Sequence, residues 1–525
     1  MAHADTLFLG SVLTMDPDMP RAGAVAVRAG KVSAVGSASE LHDLAGPTTR
    51  VVELGQGCLL PGFHDAHVHL TQHGLELTQV DLSGTRRFEE ALDLLRRSSA
   101  ELGAGETLLA TGMALNTWGL ASIGRAEADV LEEAVGGRKA LVSSQDHHSS
   151  WASGALLEAA GVRDGTPDPK DGVIVRDEGG RATGLLLEKA QALADAALEA
   201  PTADELRRAL DGAAASLAAL GITTVHHMAA EPAGYFRAIA SRATDDDYAL
   251  RVWACIPHAE LEAADDIGLA TGQGGRNFQV GGAKFFADGA LGSRTAWMLE
   301  AYAGTDSTGM AVDGPDVLQE RVPMAVRAGL VPVVHAIGDA AVRAVLDAFE
   351  SVAAEASTVG LRPRLEHAQH MHPDDVARAG AMGLVASVQP IHLTFDAVGI
   401  GSLLPDRMPR AYPLRSLALA GARLAFGSDT PVASPNVVDG LRAACRRIGA
   451  DGQRFVPSES VSPDQALLAY TRGAAYAIGW EERSGAVIDG YDADLVVLSH
   501  DPLVSLDGLR VLATMKGGAF TYGDP

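Results

Sequence analysis

The sequence predicts an α/β barrel, on three observations. Short, uniformly apolar runs recur through the middle of the chain. Stretches with helical periodicity separate them. Several of the runs end in His, Gln or Asp. Uniformly apolar runs, unlike alternating ones, suit parallel strands covered on both faces. Strand-then-helix units repeated this often point to a closed (β/α)8 TIM-like barrel. A chain of 525 residues leaves room for a second, smaller domain beside it.

Residues 6–52 contain the β-type runs LFLGSVLTM, AVAVRAGKVSAVG and RVVEL, broken by Gly, Pro and Asp. DADLVVLSHDPL and LRVLATMKGGAFTYG, near the other end, read the same way. Residues 1–57 and 480–525 are therefore expected to build one composite β-domain from both termini. Residues 58–479 are assigned to the barrel. Its strands are sought in PGFHDAHVHL, GITTVHHM, LRVWACI, NFQVGGAKFFADG, LVPVVHAIGD, RLEHAQ, LVASVQP and RLAFGSD. Two helices carry explicit signals. Thr202 and Glu205 form a capping box, with Leu206, Leu210, Ala213, Leu217 and Leu220 at helical spacing and Gly221 as the stop. Ser462–Pro463 opens another helix that Gly479 ends. Between about residues 76 and 200 the rhythm breaks. TLLATGMAL, KALVSS and DHHSSWAS lie there, and the stretch is expected to be an insertion after the first barrel strand, acting as a lid.

The net charge of −25 disfavours nucleic acid and anionic membrane as partners. The opening MAHADTLFLGSVLTMD has no basic stretch followed by a long apolar run, so no signal peptide is expected, nor any membrane span. Cys58, Cys255 and Cys445 are far apart and form no CxxC pair, which suits reduced thiols and a cytoplasmic location. The partner expected is a small-molecule substrate. A homo-oligomer is left open.

PGFHDAHVHL carries the sharpest chemical signal. On a regular strand His67 and His69 share a face with Asp65, while His64 points the other way, towards the helix layer. Two imidazoles from one strand make a good pair of zinc ligands, although a bare HxH is more often a chance pairing. The later strands add weight: His335, His367, Gln389 and Asp429 all stand at strand ends, which share one rim in a barrel. Lys284, inside an apolar strand, has two readings. It is an ion-pair partner of Asp288, or a lysine whose lowered pKa lets it add carbon dioxide and bridge metals as a carbamate.

These motifs, with AKFFADGALGSRTA, SVQPIHLTFD, FGSDTPV and the closing DADLVVL, resemble amidohydrolase family 3 in order and over nearly the whole chain. That branch includes the N-substituted formamide deformylases. The resemblance implies metal ligation by His67, His69, Lys284 as a carbamate, His335, His367 and Asp429. It implies one or two divalent metals, zinc first, with iron or manganese as alternatives. Three departures from the family pattern bear on the substrate pocket and not on the metal: His64, His227 in the second strand, and Ser153 where the family has Asn.

The expected activity is hydrolysis of a carbon–nitrogen bond in a small amide by metal-activated hydroxide, with Asp429 moving the proton. The rivals are a deaminase, a lactone or ester hydrolase, or a non-catalytic regulator on the same fold. Further residues are candidates for substrate binding. Asp288 and Arg294 follow Lys284 into a rim loop, with a surface ion pair as the bland alternative. His148 and Trp151 lie in the insertion, where core packing is preferred for Trp151. Gln389 is either a donor to a substrate carbonyl or part of a hydrogen bond within the rim.

Overall fold

Eight parallel strands form a nearly closed barrel in a computed structural model that describes residues 3–144, 149–170, 172–229 and 231–525. In chain order they are β1 (Phe63–Val68), β2 (Ile222–His227), β3 (Arg251–Pro257), β4 (Phe278–Phe286), β5 (Val331–Ala336), β6 (Arg364–His367), β7 (Val385–Val388) and β8 (Arg423–Phe426). Each pairs with its sequence neighbour. The seam between β8 and β1 is held just beyond β8. There Asp429 N donates to His67 O at 2.7 Å, and His69 N donates to Thr430 O at 2.9 Å. The outward side chains Val225, Val252, Phe285, Val334 and Leu365 pack on helix residues such as Leu210, Leu217, Val345 and Phe349. That double covering is why the strands read as uniformly apolar.

Both expected caps form. Thr202 Oγ1 accepts from Glu205 N at 3.3 Å, and Glu205 Oε2 accepts from Thr202 N at 2.8 Å. Ser462 and Gln465 make the same box. The helix expected from Ser462 to Gly479 is broken in two, Pro463–Tyr470 and Arg472–Ala477. At the break, Thr471 Oγ1 donates to Leu467 O at 2.7 Å, so its side chain competes for a helix carbonyl.

A seven-stranded sheet joins the two ends of the chain. Leu495–Leu498 runs antiparallel to Arg50–Pro61, which pairs in parallel with Thr6–Leu13. Arg251 of β3, 1% exposed, locks this sheet to the barrel through Asp494 at 2.5 and 3.0 Å.

Residues Gln72–Ala209 are a separate compact unit with a six-stranded sheet and its own core, including Leu92, Leu95, Leu131, Trp118, Met113 and Trp151. Trp151 is thus a core side chain of this unit, packed on Phe88. Ser153 caps the helix Gly154–Ala159 and donates to Arg138 O at 3.0 Å, so its hydroxyl serves the local backbone. His148 lies outside the described residues. Among the described residues no helix is long and apolar enough to cross a membrane.

Candidate metal centre

The C-terminal ends of β1, β5 and β6 and the turn after β8 bring His67, His69, His335, His367 and Asp429 together. Ring centroids lie 5.6 Å apart for His67 and His69, 4.9 Å for His67 and His367, and 4.5 Å for His335 and His367. One ligand atom each from His67, His367 and Asp429 falls within 4.8 Å of the others. His367 and Asp429 both hold left-handed backbone, with φ of 67° and 65°. Such strain in non-glycine residues persists only where the surroundings enforce it, and it clusters at functional sites.

The hydrogen bonds around the ring nitrogens show which atoms face inward. His67 Nδ1 is 2.8 Å from Glu366 Oε2, His69 Nδ1 is 3.1 Å from Met228 O, and His367 Nδ1 is 2.7 Å from Gln389 Oε1. His335 Nε2 is 3.0 Å from Gly289 O. Each partner is an acceptor, so each ring places its proton there and turns the other nitrogen's lone pair towards the centre. His67 Nε2 lies 3.3 Å and His69 Nε2 3.1 Å from Asp429 Oδ1, yet that buried oxygen accepts no hydrogen bond among the described residues. Burial opposes its charge, and it takes positive charge among His67, His69 and His367 to hold the Asp429 carboxyl well below the usual carboxylate range. Burial pushes His67 down to about 4 and His367 well below its ordinary value, so both rings are neutral at pH 7. Lone pairs and a carboxylate oxygen that meet with no proton between them form a set that fits a divalent cation.

Lys284 on β4 is 1% exposed. Among the described residues its Nζ has no hydrogen-bond partner, and it sits 4.0 Å from the Phe286 ring centroid. Burial lowers its pKa to about 8, with Glu366 and Asp429 opposing the shift.

The ion pair between Lys284 and Asp288 does not form. The Asp288 carboxylate instead accepts from the backbone N–H groups of Trp297 at 2.8 Å, Ile337 at 3.0 Å and Gly338 at 2.8 Å. It is buried and ties the loop after β4 to the loop after β5. Arg294, in the same loop, is exposed and makes no ion pair among the described residues. Gln389 Oε1 orients His367 through a hydrogen bond within the rim, while its Nε2 is buried without a partner among the described residues.

The orientation expected along β1 also needs correction. Asp65 is not gathered with the metal residues but accepts from His67 N at 3.2 Å, Ser428 N at 2.9 Å and Ser428 Oγ at 2.6 Å. His64 is not in the helix layer. It joins His226 and Ser484 at 3.5 and 2.8 Å. The physical reason is that the register of β1 against β2 shifts twice within the strand, so strict alternation fails. His227 is buried, and its Nδ1 accepts from Leu70 N at 3.3 Å. Glu366 was not singled out from sequence. Its signal was its place beside His367 in a strand too short to expose a charge.

A parallel barrel with histidines and an acid gathered at its C-terminal rim defines a metal-dependent hydrolase of the amidohydrolase type. The sequence profile of the amidohydrolase family matches residues 50–522, and the chain belongs to that family. It is 33% identical to Protein LONG AFTER FAR-RED 3 of Arabidopsis thaliana, over 98% of this chain and 90% of that one. It is 26% identical to the N-substituted formamide deformylase of Arthrobacter pascens, over 98% and 97% of the two chains. An uncharacterised metal-dependent hydrolase of Pyrococcus horikoshii superposes with a TM-score of 0.80 at 25% identity, covering 96% of this chain and 99% of its own.

Proposed function

We propose that the chain hydrolyses a non-peptide carbon–nitrogen bond in a small N-substituted amide or N-acyl compound. The observation that carries this is Asp429 Oδ1, buried, without a hydrogen-bond partner among the described residues and 3.3 and 3.1 Å from Nε2 of His67 and His69. His67, His69, His335, His367 and Asp429 would hold a divalent metal, zinc first, with iron or manganese as alternatives. Lys284, isolated and with its amine eased towards neutrality, would join as a carbamate and support a second metal. Such a metal supplies a Lewis acid and lowers the pKa of water to about 7.

The chain's own groups do the rest. Asp429 accepts the proton of the attacking water and returns it to the departing amine nitrogen, because an amine anion is a very poor leaving group. One water is consumed, the C–N bond breaks, and an acid and an amine leave. Gln389 Nε2 has no partner among the described residues and donates to the substrate carbonyl. The 26% identical relative named as a deformylase of N-substituted formamides supports a small acyl group on a bulkier amine.

The test is a panel of N-acyl amines, N-acyl amino acids, cyclic amides, dipeptides, lactones and aminopurines under matched metal loading. Turnover of N-acyl amines or N-acyl amino acids is expected. Turnover confined to dipeptides, lactones or aminopurines would overturn the bond assignment.

A further inference from the structure

The interior of a (β/α)8 barrel is normally filled by branched apolar side chains. Here a line of polar groups runs through it, centred on Arg364. A buried guanidinium is costly unless its donors are satisfied. Arg364 is 0% exposed, and its Nε donates to Glu366 Oε1 at 3.0 Å. Nη1 donates to His226 Nδ1 at 3.0 Å, and Nη2 donates to Ala66 O at 2.8 Å and Ser387 Oγ at 3.1 Å. These partners lie on β6, β2, β1 and β7. Strands β6 and β2 are not neighbours, so the contact crosses the barrel's centre.

The line has a direction, because a guanidinium only donates. His226 Nδ1 must therefore be a lone pair, and the ring's proton sits on Nε2, 3.5 Å from His64 Nδ1. His64 in turn donates from Nε2 to Ser484 Oγ at 2.8 Å. On the other side, Arg364 holds Glu366 Oε1 while Glu366 Oε2 takes the Nδ1 proton of His67 at 2.8 Å. The nitrogen left for a metal is His67 Nε2, the atom facing Asp429.

We propose that Arg364 is a positioning residue for metal binding: through Glu366 it locks His67 in the tautomer and ring orientation that present Nε2 to the metal. Only a planar fork can serve four strands at once, and a lysine's single ammonium cannot. Partners of this kind beyond the ligands typically change metal affinity by about 10–100-fold. The inference rests on the metal reading given above.

Two variants of the full-length chain test it. Arg364→Met alone would strand the Glu366 carboxylate, so it is made together with Glu366→Gln, which removes both charges and keeps an acceptor. Arg364→Lys keeps a charge for Glu366 and loses the fork. Circular dichroism and thermal unfolding establish that each is folded. The readouts are zinc affinity, by competition with a chromophoric chelator, and the His67 tautomer in metal-free protein labelled with nitrogen-15 histidine.

Wild type is expected to show a single Nδ1–H form. The double variant is expected to show mixed tautomers and about 10–100-fold weaker zinc, with Arg364→Lys between them. Should either folded variant keep both the tautomer and wild-type zinc affinity, the inference is overturned. A shifted tautomer in a chain that never binds zinc, wild type included, would uphold the link from Arg364 to His67 and sink the metal reading instead.

Discussion

Asp429 combines a left-handed backbone, a buried carboxyl and an oxygen with no hydrogen-bond partner among the described residues. Asp429→Asn keeps its shape and removes its capacity to take a proton. Turnover should fall by at least about 10²-fold, the low end for a general acid–base group. Near-normal turnover would move the role elsewhere. Lys284→Ala should strip metal as well as activity, with partial recovery in short carboxylic acids and bicarbonate. A variant with full metal content by elemental analysis would rule out Lys284 as a ligand. Histidines and acids at strand ends were legible because a rim residue of the wrong polarity stands out against an apolar run. Glu366 and Arg364 were not legible. Charges next to a strand end look like surface residues until the barrel closes around them, and their cost is repaid only by partners far away in sequence.

At the scale of elements, apolar runs and caps could be read because each depends on neighbours within a few residues. The double register shift of β1 could not, since it arises from pairing with β2 about 160 residues later. The break at Thr471 lay between: a threonine late in a helical pattern carries the hint, but the neighbouring strand decides it. Asp288 is the element-scale counterpart of a cap. It holds three backbone N–H groups of two rim loops. Asp288→Ala should cost about 1–3 kcal/mol by leaving buried donors unmade. Urea unfolding checks this, and a loss within error of zero would show that water or a loop shift replaces the carboxylate. Gly289 O, next in the chain, orients His335, so zinc affinity should weaken in the same variant.

Burial holds seven imidazoles among the described residues below their ordinary pKa. Burial pushes His64 and His370 down to about 3, and His67, His73 and His227 down to about 4. His226 and His367 lie well below their ordinary value for the same reason. Their folded pKa is depressed, so below about 6.5 the unfolded chain binds protons that the folded chain refuses. Their contribution is present above that pH and is lost as pH falls towards 4 and then 3. Metal-free protein should therefore lose thermal stability steadily from pH 7 to pH 5, before most carboxylates titrate. A midpoint that stays flat over that interval would mean that the rings are protonated or hydrated in the fold. The barrel itself was legible in the sequence because eight strands repeat one local pattern. The boundary of the unit Gln72–Ala209 was set by contacts and carries no punctuation of its own.

The sheet that knits the two ends together also sets a timetable for synthesis. Arg50–Pro61 leaves the ribosome more than 400 residues ahead of Leu495–Leu498, with one edge paired to Thr6–Leu13 and the other reserved for that later strand. At about 5–20 residues per second, that second edge stays open for roughly 20–90 s while the barrel is made. During that interval the nascent chain shows an unpaired strand edge, the kind of surface that recruits wrong partners. Expression of this chain should thus depend on whatever shields nascent strands in the host, a demand created by a strand made hundreds of residues after the neighbour it pairs with.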